Sequence, residues 1–353
     1  MRTGSKVLIA ILLVAAIAAG GGTWYIWSGI QPLPTEERNI TVTIEQGSGT
    51  AKIASQLQAE GVIRNALIFK GYLKWYKEGA RFQAGTYAFQ PGVTYDEVIA
   101  KLNQGEVVPE EMIRFTIPEG FTLEQVADTL SKDGLVDKAE FMQFADDTAW
   151  LTGTSSVVQA IPDNGKLRHK LEGYLFPETY ELKKGSSAKD IIARMIQETE
   201  KRLTEASSSW EADMKKQGLT LHELMTVASL IEREVVVDSE RALVAGVIYN
   251  RIEEGMKLQI DATVQYALDK PKERLYFKDL EIDSPYNTYK IEGLPPGPIA
   301  GPSVASIEAA LHPQQSDYFY YVTKKDGTGS HLFAKTFAEH QRNIEKSKQT
   351  AGE

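Results

Sequence analysis

The chain has 353 residues, enough for two or three domains and a sizeable hydrophobic core. Its composition, 42% hydrophobic and 25% charged, is that of an ordinary globular protein, and its net charge of -9 excludes a broad electrostatic surface for nucleic acid. The absence of cysteine excludes disulfides, thiolate metal sites and a cysteine nucleophile.

The N-terminus predicts a membrane anchor. Residues 7–27 carry no charge, and as a helix at about 1.5 Å per residue they span roughly 30 Å, the thickness of the hydrocarbon layer of a bilayer. Arg2 and Lys6 precede this stretch and Glu36 and Glu37 follow it, so the positive-inside rule places the N-terminus in the cytoplasm and the rest of the chain outside. Small residues within the stretch resemble a cleavage site, which leaves a cleaved signal peptide as the alternative.

An internal repeat follows the anchor. The stretches VTIEQGSGTAKIASQLQAEGVIRNALIFKGYL and RFTIPEGFTLEQVADTLSKDGLVDKAEFMQFA match at an offset of 73 residues. The matched pairs are Thr43 with Thr116, Gly47 with Gly120, Ala54 with Ala127, Leu57 with Leu130, and Gly61 with Gly134. Each copy predicts a strand, a glycine turn and two helices, a pattern that resembles the peptidoglycan-binding LysM module. The alternative is a pair of packing modules without a ligand.

The C-terminal part of the chain is predicted to be mainly helical. Thr220 and Glu223 form a T-x-x-E capping box, which begins a helix. Asp238 or Ser239 is expected to cap the next helix, and Asp261 to cap a third. The stretches DYFYYVTK and SHLFA, near the C-terminus, predict a pair of strands around a tight turn.

The helix after Thr220 carries one glutamate in an apolar setting. No charge precedes Glu232 from residue 224 onward, and Glu234 points about 200° away around the helix, so the two carboxyl groups do not act as a pair. We expect Glu232 to lie alone among small and apolar neighbours, where burial disfavours its charged form, and a carboxyl group that stays protonated near neutral pH is what a general acid needs. The alternative is a structural pair with Arg233, Arg241 or Arg251.

Several separated motifs make the chain similar to the YceG-like family of endolytic murein transglycosylases. In chain order they are ASLIERE (228–234), YNR (249–251), LQIDAT (258–263), YNTY (286–289), GLPPGPI (293–299) and HLF (331–333). Ile260 stands where the family has a small hydroxyl residue, and Gly301-Pro302-Ser303 stands where it usually has Asn-Pro-Gly. The resemblance therefore implies no hydroxyl contact from Ile260 and no asparagine side-chain role at Gly301.

The resemblance implies a site and a mechanism. The family's catalytic glutamate falls on Glu232, which would protonate the leaving oxygen and then take the proton from the muramic acid's own 6-hydroxyl as that group attacks C1. Because the substrate supplies the nucleophile, a single carboxyl group is sufficient. The residues expected to bind substrate are Asn250, Gln259, Asp261, Tyr286, Asn287, Tyr289 and His331. No cofactor or metal is expected.

The resemblance and the patterns together predict an α+β fold in four segments. They are a cytoplasmic start and transmembrane helix (1–30), a LysM-like module (31–110), a second repeat-like module with a connecting region (111–205), and a mainly helical catalytic domain with a small β-sheet (206–353). The predicted protein is a single-pass enzyme of the cell membrane whose catalytic domain lies on the extracytoplasmic face. It would cut nascent glycan strands of peptidoglycan, with penicillin-binding proteins and the wall-synthesis machinery as neighbours.

The residues alone are also compatible with two other functions. Asp261 could supply a second carboxylate beside Glu232, which would make the protein a glycan hydrolase. A non-catalytic, membrane-bound peptidoglycan-binding protein is the other alternative.

Overall fold

The computed structural model describes residues 2–34, 39–109, 111–151, 153, 155–268 and 270–350. Glu36 and Glu37, the acidic flank predicted for the anchor, lie outside these ranges. The chain divides into two compact units, Met1–Glu110 and Glu111–Glu353. Whether the second unit divides further at residue 205 stays a prediction, although one hydrophobic core runs through it from Phe115 to Leu311.

The first unit begins with a long apolar helix. Its segment Leu12–Ile30 is, by length and composition, able to cross a membrane, and the tryptophans near its end are exposed. Strands β1 and β2 pair antiparallel, with Ile40 opposite Phe89, and helices pack over them. The elements of this unit are α1 (Arg2–Ile30), β1 (Ile40–Ile44), α2 (Thr50–Ala59), α3 (Ala66–Tyr76), β2 (Gly85–Phe89) and α4 (Tyr95–Gln104).

The second unit is mainly helical, with two antiparallel strand pairs, β3 with β4 and β5 with β6, among its described residues. Its strands are β3 (Met112–Thr116), β4 (Thr179–Lys183), β5 (Tyr320–Thr323) and β6 (His331–Ala334). Its α-helices are α5 (Leu123–Lys132), α6 (Lys138–Asp146), α7 (Ser156–Gln159), α8 (Ala188–Ala206), α9 (Trp210–Lys216), α10 (Leu221–Glu234), α11 (Arg241–Glu253), α12 (Asp261–Ala267), α13 (Val304–Leu311) and α14 (Phe337–Thr350). The α+β fold class is therefore confirmed.

The repeat seen in the sequence is also present in the structure. In each copy a strand is followed by two helices, and a later strand then returns to pair with the first. A threonine pair joins the two strands at the equivalent place: Thr43 and Thr86 are 3.1 Å apart between their Oγ1 atoms, and Thr116 and Thr179 are 2.8 Å apart. The two copies thus share their local design, whereas the LysM-like identity stays a prediction.

Helix starts follow local sequence in some places and not in others. The capping box of Thr220 and Glu223 begins α10 as predicted. The predictions for Asp238 and Ser239 are wrong, because a 3₁₀ turn covers Asp238–Glu240 and α11 begins at Arg241 without a side-chain cap.

Candidate active site

A polar cleft of about 520 Å³ lies in the second unit, at the C-terminal end of α10. Its walls come from the ends of α10 and α11, the start of α12, strand β5 and helix α14. The lining residues are Arg233, Glu234, Arg251, Leu258, Gln259, Asp261, Tyr289, Tyr321, Val322, Thr323, His340 and Ile344. Of the predicted site residues, the cleft brings together Gln259, Asp261 and Tyr289.

Glu234 is the carboxyl group best placed for acid–base chemistry in this cleft. It is the last residue of α10, and its Oε2 accepts a hydrogen bond of 2.9 Å from the hydroxyl of Tyr321. Burial raises the pKa of Glu234 to about 7; the Tyr321 bond opposes the rise and the charge of Asp261 adds to it. A carboxyl group with such a pKa can both donate and accept a proton near neutral pH.

Asp261 contributes a second carboxyl group to the cleft from the start of α12. The prediction that it caps this helix is wrong, because Asp261 is already the first helical residue and Ile260 occupies the capping position without a side-chain bond. Its Oδ1 instead accepts a hydrogen bond of 2.6 Å from the hydroxyl of Tyr289. This bond crosses from α12 to the loop before α13 and fixes both side chains at the cleft wall.

Gln259 reaches the cleft through an unusual backbone conformation. Its φ is +51°, in the left-handed region that residues other than glycine rarely adopt. Thr288 holds this conformation, since its carbonyl accepts from the N–H of Gln259 at 3.1 Å and its hydroxyl accepts from the N–H of Ile260 at 2.9 Å. The exposed amide of Gln259 is thereby presented beside the carboxyl groups.

Arg251 places a buried cation in the same wall. Its guanidinium donates to the carbonyls of Phe319, Lys257 and Leu258 at 2.6, 3.2 and 2.7 Å. Burial lowers the pKa of Arg251. The bonds tie the end of α11 to β5 and to the segment that carries Gln259.

Glu232 points the other way, and its surroundings are polar. Its side chain is 7% exposed, and its Oε2 accepts from the N–H of Ser303 at 3.0 Å, from the hydroxyls of Ser303 and Ser306 at 2.5 and 2.8 Å, and from Arg241 Nη1 at 3.2 Å. The expectation that Glu232 lies alone among apolar neighbours is therefore wrong. The contacts join α10 to the N-terminus of α13, and of the three arginines considered, Arg241 is the partner.

Tyr286 and Asn287 are buried in the core of the loop before α13. The ring of Tyr286 lies 4.9 Å from that of Tyr266, and its hydroxyl accepts from the N–H of Arg168. The amide of Asn287 donates to the carbonyls of Leu280 and Ile282 at 2.9 and 2.8 Å. Neither side chain lies in the cleft, so both shape the loop that carries Tyr289.

The side chains of Asn250 and His331 also bond within the protein and do not line the cleft. Asn250 donates to the carbonyls of Ser316 and Tyr318, which ties the end of α11 to the start of the β5 strand region. His331 Nδ1 lies 2.7 Å from Oε2 of Glu240, and its ring packs edge-on against Tyr321 at 5.4 Å. His331 thus lies behind the cleft wall, in contact with Tyr321.

The profile of the YceG-like family matches residues 42–346. The chain belongs to the YceG-like family.

Two curated relatives of this YceG-like chain are named endolytic murein transglycosylase. The chain is 38% identical over 336 residues to the endolytic murein transglycosylase of Bacillus subtilis (strain 168), covering 93% of this chain and 90% of that protein. It is 33% identical over 361 residues to the endolytic murein transglycosylase of Streptococcus pneumoniae serotype 2 (strain D39), covering 96% of this chain and 64% of that longer protein. A 2.6 Å crystal structure of a YceG-like protein of Listeria monocytogenes is 37% identical, with a TM-score of 0.58 over 87% of this chain and 99% of that one.

The sequence patterns of this YceG-like chain do not single out Glu234 or Tyr321, which are hydrogen-bonded to each other in the cleft. The long uncharged run before Glu232 favours that residue, whereas helical spacing only places Glu232 and Glu234 on opposite faces and does not choose between them. The pattern of the stretch DYFYYVTK predicts only a strand for Tyr321. The available signal was the alternation of β5, in which Tyr321 and Thr323 share one face of a short strand.

Proposed function

We propose that this chain is a membrane-anchored endolytic lytic transglycosylase. It cleaves the MurNAc–GlcNAc glycosidic bond of nascent peptidoglycan strands and leaves 1,6-anhydroMurNAc ends. The observation that carries the proposal is a glutamate with a pKa of about 7 in a polar cleft, in a chain similar along nearly its whole length to proteins named endolytic murein transglycosylase.

We assign the general acid and base to Glu234 rather than to Glu232. Protonated Glu234 gives its proton to the glycosidic oxygen as the bond to C1 of MurNAc breaks. The 6-hydroxyl of the same sugar attacks C1 and returns its proton to the Glu234 carboxylate, so one carboxyl group completes the cycle without water. Glu232 is poorly suited because its Oε2 is turned to four protein donors.

Other residues of the cleft bind the sugar and stabilise the charge that develops on it. The carboxylate of Asp261 lies where it can offset positive charge that develops on the sugar ring, and Tyr289 holds it there. Gln259 offers an amide to sugar hydroxyls, and the partly exposed ring of Tyr289 offers a stacking face. These contacts supply orientation, which is the larger part of what an intramolecular attack needs.

The test compares two isosteric variants that differ by two positions on one helix. Purified wild type, Glu234→Gln and Glu232→Gln are incubated with uncut glycan strands, and the products are analysed by mass spectrometry. We expect anhydro ends from wild type and Glu232→Gln, and a loss of at least a hundredfold in rate for Glu234→Gln. If Glu234→Gln cuts the strands and Glu232→Gln is inactive, the result would instead support Glu232, the catalytic glutamate predicted from the sequence.

The same product analysis addresses the alternatives. A hydrolase leaves a reducing end, one water heavier than the anhydro end. Strands left uncut by the wild type would support a non-catalytic wall-binding protein.

The apolar α1 would hold the chain in the cell membrane with its N-terminus in the cytoplasm, as the basic residues before it favour. The two repeats would act as LysM-like modules that bind glycan strands, close to penicillin-binding proteins. Protease protection in sealed vesicles tests the orientation, and sedimentation of the Glu234→Gln variant with purified sacculi tests the binding.

A further inference from the structure

Helix α3 of the first unit carries an exposed apolar face. Leu67, Trp75 and Tyr76 are 70%, 82% and 58% exposed. Together with Ile68, Gly71 and Tyr72 they form a continuous area, which we call the α3 surface, and Ile26 and Ile30 of α1 close one side of it into a groove of about 520 Å³. Exposed apolar areas of this kind mark interaction sites.

The end of α1 is fixed against this surface. The hydroxyl of Tyr95 donates to the carbonyl of Gly29 at 2.8 Å, and the amide of Asn65, the N-cap of α3, donates to the hydroxyl of Tyr25 at 2.9 Å. Gly29 lies so close to Ile68 that a Cβ would stand 2.1 Å from its Cδ1. The first unit therefore does not swing freely on the anchor, and α3 keeps one orientation relative to α1.

This arrangement brings α3 to the level at which the anchor leaves the bilayer. Trp24, Tyr25 and Trp27 are exposed near the end of α1, where aromatic side chains mark the membrane–water interface. Because Tyr25 is bonded to the N-cap of α3, the α3 surface begins at this same interface.

Charge on α3 fits a lipid surface as well. Lys70 and Lys74 follow one another along a single edge of the α3 surface, at about 100° per residue, and Lys77 adds a third cation, which is exposed, at the C-cap of the helix. An apolar face with lysines along its edge is the pattern of helices that lie in the headgroup region and attract anionic lipids.

A sugar fits this groove less well than an acyl chain. The lining side chains are aliphatic or aromatic and none is charged, and the hydroxyl of Tyr72 is engaged by Asp96 at 2.7 Å. Glycan sites need polar groups that bond the sugar hydroxyls, whereas lipid tails need none.

We propose that the α3 surface lies in the outer interface of the membrane, with Leu67 and Trp75 inserted among the lipids and the lysines at the headgroups. An anionic lipid bilayer is thus a second binding partner of the first unit, beyond the anchor itself. The inference rests on the membrane anchor of the proposed function.

The test uses the absence of native cysteine. Four single-cysteine variants of the full chain, Leu67→Cys, Trp75→Cys, Gln46→Cys and Leu13→Cys, are spin-labelled and reconstituted in vesicles of phosphatidylglycerol and phosphatidylethanolamine. Gln46 is an exposed control in the turn after β1, and Leu13 reports on the anchor. Power saturation with oxygen and with a water-soluble nickel chelate reports the depth of each label.

We expect the labels at 67 and 75 to be more accessible to oxygen than to the nickel chelate, as the label at 13 is, and the label at 46 to show the reverse. Replacing Lys70, Lys74 and Lys77 by glutamate in the Trp75→Cys background should return label 75 towards the aqueous pattern.

Aqueous labels at 67 and 75 with a lipid-embedded label 13 overturn the proposal and leave the anchor intact. Immobilisation of label 75 only when glycan strands are added points to a glycan, and spin–spin coupling between copies points to self-association; each also overturns it. A label at 13 that is not in lipid refutes the anchor, and with it this proposal, but leaves the catalytic assignment standing.

Discussion

The hydroxyl of Tyr321, on strand β5, donates a hydrogen bond of 2.9 Å to the carboxyl of Glu234 at the end of α10. The two residues are 87 positions apart in the chain, and both face the cleft. This bond favours the charged form of Glu234 and so counteracts the rise in its pKa that burial causes. Tyr321 is therefore a positioning residue for the proposed acid.

We expect Tyr321→Phe to slow cleavage and to change its pH dependence. Loss of the bond should slow the reaction by about ten- to a hundredfold, since hydrogen bonds to charged groups contribute about 1.5–3 kcal/mol. It should also raise the pKa of Glu234, so that the alkaline limb of the rate profile moves to higher pH. The measurement is the rate of anhydro-end formation from pH 5 to pH 9. A slower enzyme with an unshifted limb would mean that Tyr321 acts only through packing.

Glu232→Gln is expected to damage stability rather than catalysis. Glu232 and Arg241 form a largely buried pair, and removal of the carboxylate leaves the guanidinium with Asp238 as its remaining acidic partner. Breaking such a pair costs about 3 kcal/mol. Urea unfolding at pH 8 measures the change.

Glu234→Gln is the matched control for that measurement. A buried carboxyl whose folded pKa is raised contributes stability that is complete below its unfolded pKa and is lost as pH rises through about 7. At pH 8 glutamine avoids this loss, so Glu234→Gln should be at least as stable as wild type. Equal destabilisation by both variants would contradict the structural role given to Glu232.

Much of the fold could be predicted from local signals in the sequence. The capping box at Thr220 and the strand pair near the C-terminus each depend on residues close together in the chain, and both are present in the structure. The repeat that matches Thr43 with Thr116 is also present, and it could be predicted because each copy is itself a local pattern of strand, turn and helices. The site depends on distant residues. Nothing near Glu232 shows that Ser303 and Ser306 will surround it.

Asp261 illustrates the same limit. By sequence alone, an aspartate before a helix is among the preferred N-cap residues. In the structure, the carboxylate of Asp261 instead accepts a hydrogen bond from the phenol of Tyr289, 28 residues later. The choice between a cap and a site residue is made by tertiary contact, which the helix start alone does not reveal.

Glu172 should make the second unit less stable as pH rises. Its side chain is 2% exposed, its Oε1 accepts from the N–H of Leu123 at 2.9 Å, and burial raises its pKa to about 7 against an ordinary value of 4.5. Because the folded pKa is the higher one, its contribution is complete below about pH 4.5 and is lost as pH rises through 7.

Glu172→Gln tests this effect directly. The amide oxygen of glutamine can still accept from the N–H of Leu123, so the variant should lose little stability at pH 5. At pH 8 its free energy of unfolding should exceed that of wild type. The free energy of unfolding is measured from pH 5 to pH 8, with Glu211→Gln, at an exposed position in the first turn of α9, as the control. A parallel pH dependence in wild type and Glu172→Gln would show that Glu172 is not the group responsible.

Asp261→Asn separates the transglycosylase from a two-carboxylate hydrolase. If the substrate's own hydroxyl is the nucleophile, Asp261 only stabilises charge, and the asparagine oxygen can still accept from Tyr289. We therefore expect the variant to retain anhydro products at a rate within about a hundredfold of wild type, the cost of a single electrostatic group. Asp261→Ala, which loses the Tyr289 bond as well, should be slower than Asp261→Asn. Reducing ends from the wild type, together with an Asp261→Asn variant as inactive as Glu234→Gln, would assign the second carboxyl a direct part in the reaction and replace the intramolecular mechanism with hydrolysis.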